Sequence, residues 1–404
     1  MKQNITKTIL LAFFLGLTFG VILNIIQPFL GFLYEFIVEL MDFGGKVFLT
    51  ILKMLVVPIV FISVICGIGS IGNISSLGRI GIKAIFIYLF TTSIAISLSI
   101  LVASFIQPGL DESIVNAKND VLISEKPSLK EVLINIVPTN PFKSLSEGNM
   151  LQIIFLSIIF GSAISLSQKK GKPIKDFFDS LNFVVLKSLE ILMIIAPIGI
   201  FCLIAKTFST QGLEVILELG KYFFTVVTCL LLHVFLIYGS CVIYFAKISP
   251  LNFLRKIKDA LIFSFSTSSS SATIPVTLKC VTKNLNVKNK IASFTVPLGS
   301  TLNMDGTAIM QGVATIFIAN IYGFDLSLSD FMSIILTATL ASIGTAGVPG
   351  VGLVMLGMVL NQVGLPLEGI ALVMGVDRLL DMLRTTTNVT GDALVSLIVD
   401  KTEK

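Results

Sequence analysis

Long runs without a charged residue constrain the fold of this chain more than any other feature of its sequence. Most exceed the roughly 20 residues that a helix needs to cross a bilayer, and they cover 54–78, 84–110, 149–168, 222–246 and 331–367. Only 13% of the 404 residues are charged, against about 25% in soluble proteins. The pattern predicts an all-α, polytopic protein of the cell membrane, in contact with the lipid bilayer.

The first apolar stretch, at about 8–26, is longer than a signal-peptide core and lacks an A-x-A cleavage pattern, so it is predicted to remain as a transmembrane helix. Further spans are predicted at about 46–69, 82–107, 149–167, 175–206 and 218–246. The polar segment 111–148 is predicted to form an extracellular loop.

Basic residues are unevenly distributed between the two sides of these predicted helices. With the N-terminus inside the cell, 19 of the 29 lysines and arginines fall on the inner side. They are Lys2, Lys7, Arg79, Lys83, the basic residues of 169–187, 247–258 and 279–290, Lys401 and Lys404. The positive-inside rule therefore predicts that both termini are cytoplasmic. Membrane orientation accounts for the basic residues without a nucleic-acid partner.

Two later apolar stretches are interrupted in the middle by small and polar residues. ALIFSFSTSSSSATIPVTL, at 260–278, has basic residues at both ends, which places both ends inside. It is too short to cross and return as continuous helix, so a re-entrant hairpin is predicted. TATLASIGTAGVPGVGLVMLGMVL, at 337–360, has acidic flanks and is predicted to be a second hairpin that enters from the outside.

Each hairpin is followed by a span with acidic residues at mid-depth, PLGSTLNMDGTAIMQG at 297–312 and VDRLLDMLRTTTNVTGD at 376–392. This order occurs twice with opposite entry sides, which predicts inverted repeats. The full expectation is eight transmembrane helices plus two re-entrant helical hairpins. Inverted-repeat transporters hold substrate and ions near the bilayer midplane.

Five polar residues of the last span share one helix face: Asp377, Asp381, Arg384, Asn388 and Asp392, at i, i+4, i+7, i+11 and i+15. An ionised group at the bilayer centre costs on the order of 2.5–3.5 kcal/mol even on lenient scales. These charges therefore indicate mutual pairing or bound partners. A purely structural ion-pair network is the simpler alternative.

Acidic residues are in excess around this stripe. Three acids face one arginine, Asp305 on the preceding broken span adds a fourth acid, and Arg378 lies off the stripe at the predicted cavity edge. Bound cations would neutralise the excess, and the oxygen ligands available suit Na⁺ better than a transition metal. The planar guanidinium of Arg384 suits a substrate carboxylate, and Asp381 suits a substrate ammonium.

The single histidine and the five cysteines give weaker indications. His233 lies in CLLLHVFLIYG with no acid beside it in the sequence, and it is predicted to be structural rather than a proton carrier. The cysteines form no C-x-x-C pair, so neither a disulfide framework nor a zinc site is predicted.

Four motifs, in this order and spacing, resemble the dicarboxylate/amino acid:cation symporter family: SSSSATIP, PLGSTLNMDGT, ASIGTAGVPG and DMLRTTTNVTGD. That family includes archaeal aspartate transporters and animal glutamate transporters, and the resemblance extends over nearly the whole chain, including IVPTNPF. It implies a transporter rather than an enzyme, with an elevator-type fold and a homotrimeric assembly.

The resemblance also implies a division of each protomer into two parts. The scaffold would comprise helices 1 and 2 within 1–81 and helices 4 and 5 within 149–214. The transport domain would comprise helix 3 within 82–110, helix 6 within 215–254, and a core of hairpin 1, helix 7, hairpin 2 and helix 8 within 255–404.

Family residues on the substrate carry over to matching positions of this chain. The resemblance implies that the hairpins bind a carboxylate, helix 7 and the arginine bind the side-chain carboxylate, and helix 8 binds the amine and main carboxylate. The hairpin residues are Ser270, Gly347 and Val348, and the residues on the side-chain carboxylate are Thr307 and Arg384. Those on the amine and the main carboxylate are Asp381, Thr385 and Asn388.

Three sodium sites are implied by the same resemblance. One would use Asp392 with backbone oxygens of Gly299, Asn303 and Asn388. A second would use carbonyls of Thr301, Ser342, Ile343 and Thr345. The third would use Tyr88, Thr91 and Thr92 with Asn303 and Asp305.

Departures from the family pattern narrow the expected chemistry. Gln311 stands where proton-coupled animal members have a glutamate, which argues against proton cotransport by that route. Ser268 and Met382 stand where other members have an arginine. C4-dicarboxylate members lack an acid at the Asp381 position and neutral amino acid members lack the arginine at Arg384, whereas this chain has both.

The leading hypothesis is a sodium-coupled symporter that imports aspartate or glutamate. A proton-coupled glutamate/aspartate symporter or a C4-dicarboxylate symporter is the alternative within transport. A membrane-embedded hydrolase is disfavoured because the serines at 268–271 have no identifiable base. An ion channel is disfavoured because the paired binding residues indicate a stoichiometric carrier.

Overall fold

The computed structural model of this chain describes residues 2–69, 77–110, 136–211, 214–343, 347 and 349–403. All regular secondary structure within these ranges is helical. The α-helices are α1 (Lys2–Leu30), α2 (Phe32–Gly69), α3 (Leu77–Ile106), α4 (Pro141–Glu147), α5 (Met150–Leu166), α6 (Gln168–Gln211), α7 (Glu214–Leu232), α8 (Pro250–Lys256), α9 (Lys258–Thr267), α10 (Ser270–Lys279), α11 (Asn289–Leu302), α12 (Asp305–Ile321), α13 (Leu328–Ser342), α14 (Val351–Gln362) and α15 (Ile370–Thr402).

Helices α1, α2, α5 and α6 form one packing group, in which α6 lies against both α1 and α2. The G-x-x-x-G pattern of α1 explains its close approach to α6. A Cβ at Gly16 would lie 2.9 Å from the Phe201 carbonyl oxygen, and a Cβ at Gly20 would lie 2.6 Å from that of Ala205. Small residues at such spacing let membrane helices pack backbone to backbone.

The second packing group contains α3 and the helices from α9 onward. Helix α12 packs against α3, and α15 packs against α9, α11 and α12. Residues of α12 are buried along almost its whole length, as are most of α15. Most polar residues of these two helices therefore lie inside the protein rather than on its surface.

Helix α7 joins this second group by packing against α3, α12 and α15. It continues into a π-helical segment, His233–Tyr238, a short α-helical link, Gly239–Cys241, and a second π-helical segment, Val242–Ala246. A π-helix bonds residues five apart. His233 and Tyr238, which stand at that spacing, can therefore face the same neighbour.

The two predicted hairpins appear as the helix pairs α9/α10 and α13/α14. In the first pair, Ser268 ends α9 in the left-handed conformation, with a φ of 49°. Ser269 then caps α10, because its side-chain oxygen accepts a hydrogen bond from the Ala272 N–H. The serine run is thus the turn of the hairpin.

Three described helical stretches are long and apolar enough to cross a membrane: Leu11–Leu30, Arg79–Ile106 and Leu217–Ala246. Shorter apolar helices occur at Val57–Gly69, Gln152–Leu166, Ile194–Thr210, Leu328–Ser342 and Val351–Gln362. Large apolar side chains such as Phe14, Phe29 and Phe105 are exposed, as expected for contact with lipid. The count of eight spans stays a prediction.

The predicted extracellular loop at 111–148 is only partly described. Its residues 111–135 lie outside the described ranges, and the remainder contains α4, which an uninterrupted loop does not predict. The Asn140 side-chain oxygen caps α4 by accepting from the N–H groups of Phe142 and Lys143.

The ends of α3 and α15 are joined by charged residues. The Arg79 guanidinium donates to the Glu403 carboxylate at 2.6 Å, and Lys83 donates to the Thr402 carbonyl at 3.1 Å. The hydrogen bond from Arg79 lowers the pKa of the Glu403 carboxyl. This contact ties the C-terminal helix to α3, a helix of the same packing group.

Candidate substrate and cation site

The broken span between α11 and α12 brings backbone groups into the protein interior. Helix α11 ends at Leu302, Asn303 is extended, and α12 begins at Asp305. The Gly306 N–H donates to the Asn388 side-chain oxygen at 2.8 Å. A Cβ at Gly306 would lie 2.5 Å from the Arg384 carbonyl oxygen, so glycine is required for this approach of α12 to α15.

The tips of the two hairpins contact each other at Gly347. The Ser269 hydroxyl donates to the Gly347 carbonyl at 2.8 Å, and the Ser271 N–H donates to the same oxygen at 3.2 Å. A Cβ on Gly347 would lie 3.0 Å from the Ser270 Cβ. The structure therefore brings Ser270 and Gly347, two predicted substrate residues from different hairpins, into contact.

Arg384 is the largest fully buried side chain among the described residues. Its Nη1 lies 2.8 Å from Asp377 Oδ1, and its Nη2 donates to Asp381 Oδ1 at 3.0 Å. Helix α14 covers the guanidinium at Gly352, where a Cβ would lie only 3.3 Å from Arg384 Nη2. The arginine is thus enclosed between α15 and the second hairpin.

Two nitrogens of this guanidinium make no hydrogen bond with the described residues. They are Nε and Nη1, the latter because its close contact with Asp377 is poorly aligned. Buried donors are rarely left unpaired, since an unmet donor costs about 1–3 kcal/mol. Arginine donors in this arrangement suit a carboxylate ligand, which accepts two parallel hydrogen bonds.

Arg378 adds a second cation beside Asp381. Its Nη1 lies 3.5 Å from Asp381 Oδ2, whereas the hydrogen bond from Arg384 goes to Oδ1. Asp377, Asp381, Arg378 and Arg384 therefore form a cluster with two charges of each sign, named here the outer cluster. The expected excess of acid is not found in this part of the stripe.

The remaining acids, Asp305 and Asp392, lie deeper and form the inner cluster. Both are buried, and no lysine or arginine of the described chain pairs with either of them. Asp305 Oδ1 accepts from the Thr92 hydroxyl at 2.5 Å. Asp305 Oδ2 accepts from the Tyr238 hydroxyl at 2.7 Å and lies 3.1 Å from His233 Nε2.

Asn303 links the inner cluster to the unwound backbone. Its side-chain nitrogen donates to the Asn388 carbonyl at 2.7 Å and to Asp392 Oδ1 at 2.9 Å. Its side-chain oxygen is buried and accepts no hydrogen bond from the described residues. A buried oxygen without a donor, on a side chain that contacts a carboxylate, is suited to bind a hard cation.

Tyr88 and Gly299 lie at the edge of the same cluster. The Tyr88 hydroxyl donates to the Thr295 carbonyl at 3.1 Å, and a Cβ on Gly299 would collide with both Tyr88 and Asp392. Glycine at this position therefore lets α11 approach α3 and α15 closely. The inner cluster combines hydroxyl, amide, carboxylate and backbone oxygens from α3, α11, α12 and α15.

Comparison with known proteins identifies the family. The model of the sodium:dicarboxylate symporter family matches residues 5–402. The chain belongs to this family. Its members are symporters, so the chain is a membrane transporter and not an enzyme.

Several curated relatives of this symporter are similar over nearly its full length. The proton/sodium-glutamate symport protein of Geobacillus stearothermophilus is 36% identical over 399 residues, 93% of this chain and 94% of the relative. The proton/glutamate-aspartate symporter of Escherichia coli (strain K12) is 35% identical over 414 residues, 100% and 94%. Excitatory amino acid transporter 1 of Ambystoma tigrinum is 33% identical over 466 residues, 98% and 85%.

Not every predicted site residue of the symporter is joined to the others by a described contact. Thr301 and Ser342, of the second predicted sodium site, donate to carbonyls of their own helices, and Ile343 follows the end of α13.

The Thr307 hydroxyl contacts only Met304 Sδ among the described residues, at 3.9 Å. Thr385 is buried on α15, and Thr91 on α3 donates to the Tyr88 carbonyl. Thr345 and Val348 lie outside the described residues.

Two residues that contact the inner cluster, His233 and Tyr238, are absent from the predicted site. The sequence around His233 contains no acid, but the fold of the symporter places Asp305 against it. Tyr238 contacts the same carboxylate, and its ring lies 4.5 Å from the imidazole ring, centre to centre. The one available signal is the pair of polar side chains, five residues apart, inside the otherwise apolar stretch CLLLHVFLIYG.

Proposed function

We propose that this symporter imports aspartate or glutamate together with Na⁺ across the cell membrane. The observation that carries the proposal is that Nε and Nη1 of buried Arg384 donate no hydrogen bond, and neighbouring Asp381 Oδ2 accepts none, within the described residues. An amino acid with a side-chain carboxylate offers an acceptor for the first and an ammonium for the second. The names of relatives from bacteria and an animal, which refer to glutamate, aspartate or excitatory amino acids, support this substrate class.

In this proposal the outer cluster, Thr307, Thr385, Asn388 and the hairpin tips form the substrate site. Arg384 and Thr307 bind the side-chain carboxylate, and Asp381 binds the ammonium. Ser270, Gly347 and Val348 bind the main carboxylate together with Thr385 and Asn388. Contact between the hairpin tips and the lid-like position of Gly352 over Arg384 support a site enclosed on the hairpin side.

Sodium is proposed to bind the inner cluster as a co-transported ion at two sites, one at Asp392 and one at Asp305. Asp305 and Asp392 are buried without a lysine or arginine partner among the described residues, and the free Asn303 oxygen lies with them. Tyr88, Thr91, Thr92, Gly299 and Asn388 supply further oxygens from three helices. A further Na⁺ would bind carbonyls of Thr301, Ser342, Ile343 and Thr345. Na⁺ at each carboxylate would neutralise it, and substrate and ion binding would be coupled through Asn388, whose carbonyl accepts from Asn303 and whose side-chain oxygen accepts from the Gly306 N–H at the start of α12.

Alternating access is proposed to occur by an elevator motion within a homotrimer, with both termini cytoplasmic and eight membrane-spanning helices. The packing groups support the proposed division into a scaffold (1–81 and 149–214) and a transport domain (82–110, 215–254 and 255–404). Helices α1, α2, α5 and α6 pack with each other, whereas α3 and α7 pack onto α12 and α15. The transport domain would carry both clusters across the membrane as one unit.

Uptake of labelled aspartate into proteoliposomes tests this function. An inward Na⁺ gradient should drive accumulation, and preloaded unlabelled aspartate should stimulate counterflow, which a channel does not show. Accumulation driven equally well by a proton gradient in Na⁺-free buffer would contradict Na⁺ coupling and favour the proton-coupled alternative. Preference for succinate over aspartate would favour a C4-dicarboxylate symporter.

A further inference from the structure

Arg378 has a different environment from Arg384, although both contact Asp381. The Arg384 side chain is 1% exposed and that of Arg378 is 17% exposed, so Arg378 lies nearer the opening of the cluster. It stands three residues before Asp381 on α15, a spacing at which side chains on a helix are neighbours. The long side chain of Arg378 reaches the polar stripe from a helix position outside it.

The two oxygens of Asp381 are held differently. Oδ1 accepts a hydrogen bond from Arg384 at 3.0 Å, whereas Oδ2 lies 3.5 Å from Arg378 Nη1, beyond hydrogen-bond distance. Oδ2 is buried and accepts no hydrogen bond within the described chain. Arg378 therefore neutralises the charge of this oxygen without forming a hydrogen bond to it. The oxygen remains open to a cationic group of the ligand.

The balance of charge in the outer cluster determines how a ligand ammonium affects Asp381. Without ligand, the two arginines of the outer cluster balance Asp377 and Asp381. A substrate ammonium that binds Asp381 Oδ2 takes over the role of Arg378 at that oxygen. A dicarboxylate without an amine brings no such charge, and it needs Arg378 to keep Asp381 neutralised.

From this geometry we infer that Arg378 is a specificity-determining residue that competes with the substrate ammonium for Asp381 Oδ2. It weakens the binding of amino dicarboxylates and permits the binding of dicarboxylates that lack an amine. This inference rests on the proposed function, because it takes Asp381 as the partner of the ammonium. It adds that the preference between the two classes of dicarboxylate is set by a residue outside the polar stripe.

The experiment compares aspartate with succinate, which retains both carboxylates and lacks the amine. In proteoliposomes at saturating Na⁺, inhibition of labelled aspartate uptake by each ligand gives its apparent affinity for the wild type and for Arg378→Gln. We expect Arg378→Gln to bind aspartate more tightly and succinate more weakly, which changes the ratio of their affinities by about tenfold or more. Arg378→Lys keeps the charge and should stay close to the wild type.

Arg255→Gln is the matched control, because Arg255 is exposed on α8, away from both clusters. This substitution removes the same charge as Arg378→Gln. An unchanged ratio of the two affinities in Arg378→Gln overturns the inference. This includes an equal loss of affinity for both ligands, which a purely structural role would give. In either case uptake of aspartate by the wild type leaves the proposed function standing. A wild type that takes up no aspartate in a Na⁺ gradient overturns both.

Discussion

The Tyr238 hydroxyl donates a 2.7 Å hydrogen bond to Oδ2 of Asp305, a residue 67 positions further along the chain. His233 Nε2 lies 3.1 Å from the same oxygen, and Thr92 donates to the other one. Asp305 is thus held on one side by α3 and on the other by the π-helical segment that follows α7. Such second partners of a ligating carboxylate fix its orientation toward a bound ion.

Replacing Tyr238 with phenylalanine removes one of these partners without changing the size of the ring. We expect the apparent affinity for Na⁺ to fall by about tenfold, since loss of an outer-shell hydrogen bond to a metal ligand has effects of about 10–100-fold. Aspartate affinity at saturating Na⁺ should change little. Uptake measured over a range of Na⁺ concentrations separates the two quantities.

The control for that variant is Tyr244→Phe, in the neighbouring π-helical segment, where the tyrosine is 77% exposed. It should match the wild type in both quantities. An equal loss of aspartate affinity in Tyr238→Phe at low and saturating Na⁺ would show that Tyr238 does not act through the cation site.

Much of the outer cluster is predictable from the sequence, because a single helix carries it. The spacing of Asp377, Asp381 and Arg384 places these residues on one face, and the structure pairs them. Arg378 is predicted at the cavity edge, but its guanidinium reaches Asp381. Helical periodicity gives the direction of a Cα–Cβ bond, whereas a long flexible side chain can bend toward a neighbouring face.

The inner cluster is harder to predict because separate helices build it. Asp305 and Asn303 are recognisable as polar residues in a broken span, and the family resemblance supplies Tyr88 and Thr92. The contact of Asp305 with His233 depends on the packing of α7 against α12 and on a π-helical turn. At α-helical spacing, residues five apart point about 140° away from each other, so ordinary periodicity gives no hint of this arrangement.

Asp392→Asn tests whether the charge of the inner cluster binds Na⁺. The substitution keeps an oxygen for the Asn303 N–H group, which now donates to Asp392 at 2.9 Å, and removes one negative charge. We expect the dependence of aspartate affinity on Na⁺ concentration to become shallower. Equilibrium binding of labelled aspartate at several Na⁺ concentrations measures the slope. Asp176→Asn, exposed on α6, is the control, and a slope equal to that of the control would argue against this ion site.

Arg384→Thr removes the proposed partner of the side-chain carboxylate. Loss of one member of a buried charge network costs about 3–5 kcal/mol, which corresponds to a decrease in aspartate affinity of at least about a hundredfold. Serine or alanine, which need no such partner, should then compete for uptake. Thermal unfolding of the purified variant checks that the protein remains folded. Aspartate affinity equal to that of the wild type would refute the role given to Arg384.

Gly352→Ala tests the cover that α14 places over Arg384. The added Cβ would lie 3.3–3.4 Å from three guanidinium atoms of the fully buried arginine, which is tight enough that the guanidinium must shift to make room. A displaced guanidinium loses alignment with a bound carboxylate, so we expect aspartate affinity to fall by about tenfold, well within the cost of a misplacement of about 1 Å.

Gly357→Ala on the same helix is the matched control for this substitution. Its Cβ would make ordinary contacts of 3.5 Å with Ile370 and 3.7 Å with Leu367. Both variants gain about the same helix propensity, roughly 1 kcal/mol for Gly to Ala, so a difference between them reports the contact with Arg384. Competition between labelled and unlabelled aspartate at saturating Na⁺ gives the two affinities. Equal affinities would mean that α14 does not constrain the arginine when substrate is bound.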